Sequence, residues 1–188
     1  MTGPAMSLEL TRDLPNRLRE GGDRAFVELV ERYQPLVYRW AVALSGDGDV
    51  AEDISQETFV RVHRRLSSFR GDGPFEGWLY RIVRRVAVRS LRRGSRPYEP
   101  ADDVYLTDPG ARVDRQRAAD VIRTIAITLP LRQREVFVLC DLEGRTPAEV
   151  AVMLDMKDVS VRASLFKARA SIRRTVLATH PAFREHLP

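Results

Sequence analysis

Arg162, Ala163, Phe166, Lys167, Ala170, Arg173 and Arg174 recur three and four residues apart, so a helix over this stretch would carry all seven on one face. The chemistry open to such a face is recognition. Guanidinium and ammonium groups can donate to guanine O6 and N7 or to phosphate, small alanines permit close approach, and a phenyl ring can touch a thymine methyl. Val161, Leu165, Ala168, Ile172 and Val176 fall on the opposite side as an apolar stripe suited to packing on helices behind. Ser160 reads as the cap of this helix. An earlier helix starts at Thr146-Pro147-Ala148-Glu149, where Thr146 and Glu149 have the spacing of a capping box and Pro147 occupies the position that needs no N–H. Between the two lies the short polar break Asp155-Met156-Lys157-Asp158-Val159. Thr146 to Arg174 thus has the layout of a helix-turn-helix. The same face would also suit a solvated basic helix closing a bundle, but two start signals flanking a short turn favour the duplex reader.

A second group of residues suits unpaired nucleic acid. Arg81, Arg84, Arg85, Arg89, Arg92 and Arg93 follow one another with no acid among them, beside Trp78 and Tyr80 and behind a glycine-rich stretch containing Phe69, Arg70 and Phe75. Unstacked bases can lie on aromatic rings while guanidinium groups hold the strand backbone. Trp78 shares helical spacing with Leu79 and Ile82 and reads as core, whereas Phe75 sits in the loop and is open. Upstream, Asp49, Glu52, Asp53 and Glu57 concentrate acid in half a helix, which suits a basic protein surface.

No covalent chemistry emerges. His63, His180 and His186 are scattered, and no cysteine or carboxylate cluster has metal-ligand spacing, so neither metal nor cofactor is expected. Gly71-Asp72-Gly73 lacks the Lys-Ser/Thr ending of a phosphate loop. The single cysteine, Cys140, lies in the apolar run Val136 to Leu139, which excludes a disulfide framework within the chain and reads as core in a reducing cytoplasm. The chain has 188 residues, 44% of them hydrophobic, with a net charge of +5. That supports one domain or two small ones and favours a polyanionic partner. No apolar stretch reaches membrane-span length, so no membrane insertion is expected.

The elements that would position these residues repeat at the helical period, and none alternates at period two, so the expected fold class is all-α, built as two small helical domains. After an N-terminal extension, 1–23, the domain over 24–93 has a first long helix with Phe26, Leu29, Val30, Tyr33, Val37, Trp40 and Leu44 on one stripe, kinked at Pro35. A second helix, started by Asp49 and Glu52, runs to about Leu66. A loop from Ser67 to Gly77 follows, then the arginine-rich helix to about Arg93. Residues 94–113, with Pro97, Pro100 and Pro109 among the acids Glu99, Asp102, Asp103 and Asp108, read as a flexible acidic linker. The second domain, 114–178, carries Val121, Ile122 and Ile125, a break at Leu129-Pro130, a helix to about Leu142 and the helix-turn-helix, before a tail over 179–188.

Asp53-Ile-Ser-Gln-Glu-Thr-Phe59, Phe69-Arg-Gly-Asp72, Gly77-Trp-Leu-Tyr-Arg-Ile82, the Leu129-Pro130 break before Gln133-Arg-Glu135, and the helix-turn-helix occur in order over residues 24 to 178. Together they resemble bacterial sigma factors of the extracytoplasmic-function group. The resemblance implies a protein that binds core RNA polymerase, directs it to promoters and helps melt the minus-ten element without hydrolysis. It implies polymerase-binding roles for Asp53, Gln56, Glu57, Phe59, Val60 and His63 against the clamp helices of the largest subunit, with the polymerase flap as a further contact. Minus-ten roles fall on Phe69, Arg70, Phe75, Trp78, Arg81, Arg84, Arg85 and Arg89. Minus-thirty-five roles fall on Ser160, Arg162, Ala163, Phe166, Lys167, Arg173 and Arg174. Control by an anti-sigma factor is implied as well, with a cytoplasmic location, nucleoid-associated when active or membrane-tethered through that inhibitor. The chain departs from the family where Arg85 and Arg89 replace frequent Asn and Asp, Asp155 and Val159 replace glycines, and Ser164 replaces a frequent Arg. The alternatives outside the family are a helix-turn-helix regulator that is not a polymerase subunit and, more weakly, a helical nucleic-acid enzyme.

Overall fold

The computed structural model describes residues 4–69, 71, 73–93 and 121–179, with side chains from Asp23 onward except that of Ser67. The expected linker, the tail from His180 and the candidate Arg70 lie outside the described residues. Among the described residues every regular element is helical, as the all-α expectation requires. The α-helices are α1 (Pro4–Ser45), α2 (Gly48–Arg65), α3 (Phe75–Arg93), α4 (121–127), α5 (Leu131–Phe137), α6 (Pro147–Leu154) and α7 (Asp158–Thr179), with a 3-10 turn at Leu66–Ser68 and a π-helical turn at Val138–Leu142. They fall into two units, one running to Arg93 and one containing α4, α5 and α7, with residues 151–156 at the end of α6 grouped with the first.

In the first unit α1 packs on α2 and α3, and α2 on α3. Leu29, Tyr33, Val37, Trp40 and Leu44 are buried along α1 at steps of four and three, as the stripe predicts. Ala51, Ile54, Thr58 and Val62 from α2, and Phe75, Leu79, Ile82, Val83 and Val86 from α3, close the core. The boundaries of the first two helices differ from expectation. The first helix already begins at Pro4, within the expected extension, and continues past Pro35 to Ser45. The second is capped by Asp47, whose side chain accepts the Val50 N–H at 2.9 Å, and not by Asp49, which lies inside the first turn and faces the positive end of the helix dipole. The chain reverses between the two at Gly46, whose φ of 80° is open to glycine at little cost.

In the second unit Ile125, Ala126, Leu129, Phe137, Ala168 and Ile172 form a buried cluster, with Val121, Ile122 and Val176 packed at its edge. α5 lies against α7 and runs into a π-helical turn, Val138–Leu142. Arg134 draws the end of α4 onto α5: its Nη2 donates to the Ile127 and Leu129 carbonyls, the latter at 3.2 Å. Beside it, Glu135 is fully buried. Asp141 in the π-helical turn binds Arg169 of α7 through both carboxylate oxygens, at 2.6 and 2.9 Å.

The capping box at α6 forms as expected. Thr146 N–H donates to Glu149 Oε2 at 2.8 Å, Glu149 N–H donates to Thr146 Oγ1 at 3.3 Å, and the Thr146 hydroxyl donates to the same carboxylate at 2.8 Å. The Thr146 N–H foremost, then its hydroxyl, hold the Glu149 carboxyl below its ordinary value. Because the folded pKa is depressed, this contribution is complete above the unfolded carboxyl value and is lost as pH falls through the folded one. Thr146→Ala is expected to cost about 1 kcal/mol by denaturant unfolding. It should also reduce the acid sensitivity that Glu149 confers; an unchanged midpoint would show the cap contributes nothing.

Candidate functional site

The α7 face survives folding intact. Val161, Leu165, Ala168 and Ile172 are buried, while Arg162, Ala163, Phe166, Lys167, Ala170, Arg173 and Arg174 are all exposed. Phe166, at the centre of this basic face, is 75% exposed, and Val159, in the first turn of α7, is 76% exposed. Ser160 is not the cap: α7 begins two residues earlier at Asp158, and the Ser160 and Val161 N–H groups both donate to the Lys157 carbonyl, at 2.9 and 3.1 Å. Ser160 itself lies exposed in the first turn. The early start also fixes Arg162, because Asp158 now lies one turn before it and its Oδ2 accepts Arg162 Nε at 2.6 Å. At the end of α6, Asp155 adopts φ 53° and the Met156 N–H donates to the Ala151 carbonyl at 2.9 Å. This is the left-handed helix ending that glycine usually supplies, here made by an aspartate.

On α3, Arg81, Arg85 and Arg89 step by four along one exposed line, with Arg92 and Arg93 exposed at its end and Arg84 half-buried beside it. The buried face opposite, Leu79, Ile82, Val83 and Val86, sets that line outward. The aromatic residues require a correction. Phe75 is not in a loop: it is the first residue of α3 and is wholly buried, and Phe69 is buried too. Phe75 packs at 5.1 Å from Tyr33, 5.3 Å from Phe69 and 5.4 Å from Trp78 between ring centroids, so an aromatic cluster, not an open platform, lies at the start of α3. Trp78, expected as core, is half-buried and keeps part of its ring at the surface.

Along α2, Glu52, Asp53, Gln56, Glu57 and Val60 are exposed at helical spacing, and Glu57 pairs with Arg61 at 2.7 Å. His63 is exposed, with its ring edge-on to Phe26 at 4.8 Å. Phe59 departs from the expectation: it lies on the inner side of the helix, 9% exposed, and supports the surface from beneath. The first part of the α2 face is therefore acidic, with the apolar Val60 beyond it and the exposed Arg64 and Arg65 at the helix end, and the α3 line in the same unit is purely basic.

Among the described residues no group of histidine, cysteine and carboxylate side chains could hold a metal, and no helix is long and apolar enough to cross a membrane. Cys140 is buried, and its thiol is pushed up first by burial and then by Asp141. Reasoning from sequence missed Asp158, Arg134 and the Asp141–Arg169 bridge. The first could have been found, since Asp158 and Arg162 have the four-residue spacing of a helical ion pair. The last joins residues 28 apart and leaves no local signal.

Residues 29–97 match the family described as Sigma-70 region 2, and residues 120–172 match Sigma-70, region 4. The chain is 34% identical to the ECF RNA polymerase sigma-E factor of Escherichia coli (strain K12), over 91% of this chain and 97% of that relative. It is 36% identical over 85% of its length to the ECF RNA polymerase sigma factor SigE of Mycolicibacterium smegmatis, and spans 65% of that relative's length. The solved structure of CnrH in complex with the cytosolic domain of CnrY matches with a TM-score of 0.67 at 28% identity, covering 90% of this chain and 98% of that one. The sigma factor RpoE in complex with the anti-sigma factor NepR from Bartonella quintana shares the fold, with a TM-score of 0.61 at 20% identity over 82% of this chain and 98% of that chain. With both sigma-70 regions matched in order, and a curated relative matched over nearly all of its length, the chain belongs to the extracytoplasmic-function sigma factors.

Proposed function

We propose that the chain divides the work of promoter-specific initiation among its three exposed faces. The α2 face, through Asp53, Gln56, Glu57, Val60 and His63 with Phe59 beneath, docks on the basic clamp helices of core RNA polymerase. The α3 line, Arg81, Arg85 and Arg89 with Arg84 and the exposed part of Trp78, holds the backbone of the opened minus-ten strand. The α7 face, with Arg162, Ala163, Phe166 and Lys167 at its centre, Ser160 at its start and Arg173 and Arg174 toward its end, reads the minus-thirty-five duplex. Opening uses binding energy and involves no covalent step, so the chain acts as a polymerase subunit and is not itself an enzyme. It works in the cytoplasm, on the nucleoid. An anti-sigma protein that covers the α2 face would keep it from polymerase; a related sigma factor has been solved in complex with an anti-sigma factor.

The observation that carries this reading is the opposite sign of the α2 and α3 faces within one small unit. An isolated DNA-binding regulator needs the basic face but has no use for an exposed acidic one bordered by Val60. Run-off transcription with purified core polymerase on genomic templates tests it. Promoter-specific transcripts are expected only when the chain is added, and promoter binding by the chain without polymerase would favour the regulator instead. Within the α7 face, Arg162→Ala or Lys167→Ala is expected to weaken holoenzyme binding by about 1–3 kcal/mol at one base position each. Unchanged base preference in both variants would remove these two from the reading set.

A further inference from the structure

The Asp158–Arg162 pair lies at the N-terminal end of the reading face, and its geometry goes beyond charge neutralisation. Asp158 uses Oδ2 to hold Arg162 Nε at 2.6 Å, while its Oδ1 is sealed from solvent without a hydrogen-bond partner. The Asp158 side chain is 41% exposed overall, but its enclosed oxygen turns the other one toward Arg162 from the first position of α7. The Arg162 side chain is 64% exposed and is held at Nε, so its two terminal amino groups take no part in the pair. An exposed arginine otherwise samples many rotamers and can settle on any nearby phosphate, which adds affinity without information. Held by Nε, it offers the paired terminal N–H groups that match guanine O6 and N7. Adenine presents N6–H where guanine has O6, which sets donor against donor.

We propose that Asp158 is a positioning residue that fixes Arg162 end-on for guanine and withholds it from phosphate, so that this chain gains base discrimination at some loss of non-specific affinity. The proposal rests on Arg162 being a base reader and adds the residue that sets how it reads. Asp158 touches no base itself. Its own charge, at the start of the recognition helix, disfavours phosphate contact there and sharpens the same choice.

Holoenzyme assembled from core polymerase and the full chain would be used to select duplexes randomised across the upstream promoter element, with sequencing of the bound pool. Arg162→Ala is expected to lose guanine preference at one position. Asp158→Asn should lower guanine preference at that same position by about threefold to tenfold while raising binding to random duplex and steepening its salt dependence by about one phosphate. The double variant should select like Arg162→Ala alone. Asp158→Ser, which keeps a residue suited to a helix start, should reproduce the shift if Asp158→Asn folds poorly. If Arg162→Ala alters no position, the base-reading assignment itself fails. If Arg162→Ala loses guanine but both Asp158 variants select and bind as the parent does, or if they act equally when Arg162 is absent, the positioning role is overturned.

Discussion

Phe75→Ala is expected to cost the N-terminal unit about 3–5 kcal/mol, the range for removing a large aromatic from a packed core. Phe75 has no exposed surface and contacts rings on three sides, Tyr33 from α1, Phe69 from the preceding loop and Trp78 one turn along α3. Truncation leaves a cavity bounded by rings that cannot collapse into it without moving two helices. Phe75→Leu preserves most of the volume and should cost less than about 1.5 kcal/mol. Thermal unfolding followed by far-ultraviolet dichroism separates the outcomes. A Phe75→Ala chain that melts within about 1 kcal/mol of the parent would mean the ring is not the keystone its burial indicates. The consequence for promoter opening is indirect. The cluster fixes where α3 starts, and hence the angular setting of Arg81, Arg85 and Arg89, so lost transcription in Phe75→Ala should recover on cooling if the ring serves structure and not base capture.

Phe75 also shows where reading the sequence reached its limit. The helical stripes were legible because burial repeats at the helix period: Leu29 to Leu44 and Val161 to Ile172 are buried as their spacing requires. The capping box at Thr146 was legible because both partners lie within one turn. Phe75 was misplaced because glycines and Pro74 around it signal a loop, while the driving force that starts the helix directly after Pro74 is burial against Phe69 and against Tyr33, which is distant in sequence. Ser160 was misread as a cap for a related reason. A serine is a good cap on local grounds, but the Lys157 carbonyl already accepts the Ser160 and Val161 N–H groups, and α7 starts at Asp158. The exposed basic residues of the candidate site were the most legible part, since nothing in the core competes for them. Their positioning partners were less so, because Asp141 reaches Arg169 only through the fold.

Arg134→Met is expected to destabilise the C-terminal unit by about 1–3 kcal/mol, the range for leaving partly enclosed carbonyl acceptors without their donor. Methionine keeps the apolar stem, so the loss isolates the guanidinium. That group donates to two carbonyls at the end of α4, Ile127 and Leu129, which have no successor residues in the helix to bond them. Burial holds its pKa below the ordinary arginine value, and the charge of Glu135 pushes in the opposite direction. The arginine is therefore desolvated for a structural return: it ends α4, fixes the turn into α5, and offsets the charge of a fully buried carboxylate next to it. If that account is right, Glu135→Gln should relieve part of the loss, and the Arg134→Met, Glu135→Gln double variant should be more stable than the sum of the single costs by at least about 1 kcal/mol. Strict additivity across this cycle would show that Arg134 acts only on the carbonyls. A Arg134→Met cost below about 1 kcal/mol would show that the end of α4 needs no such cap.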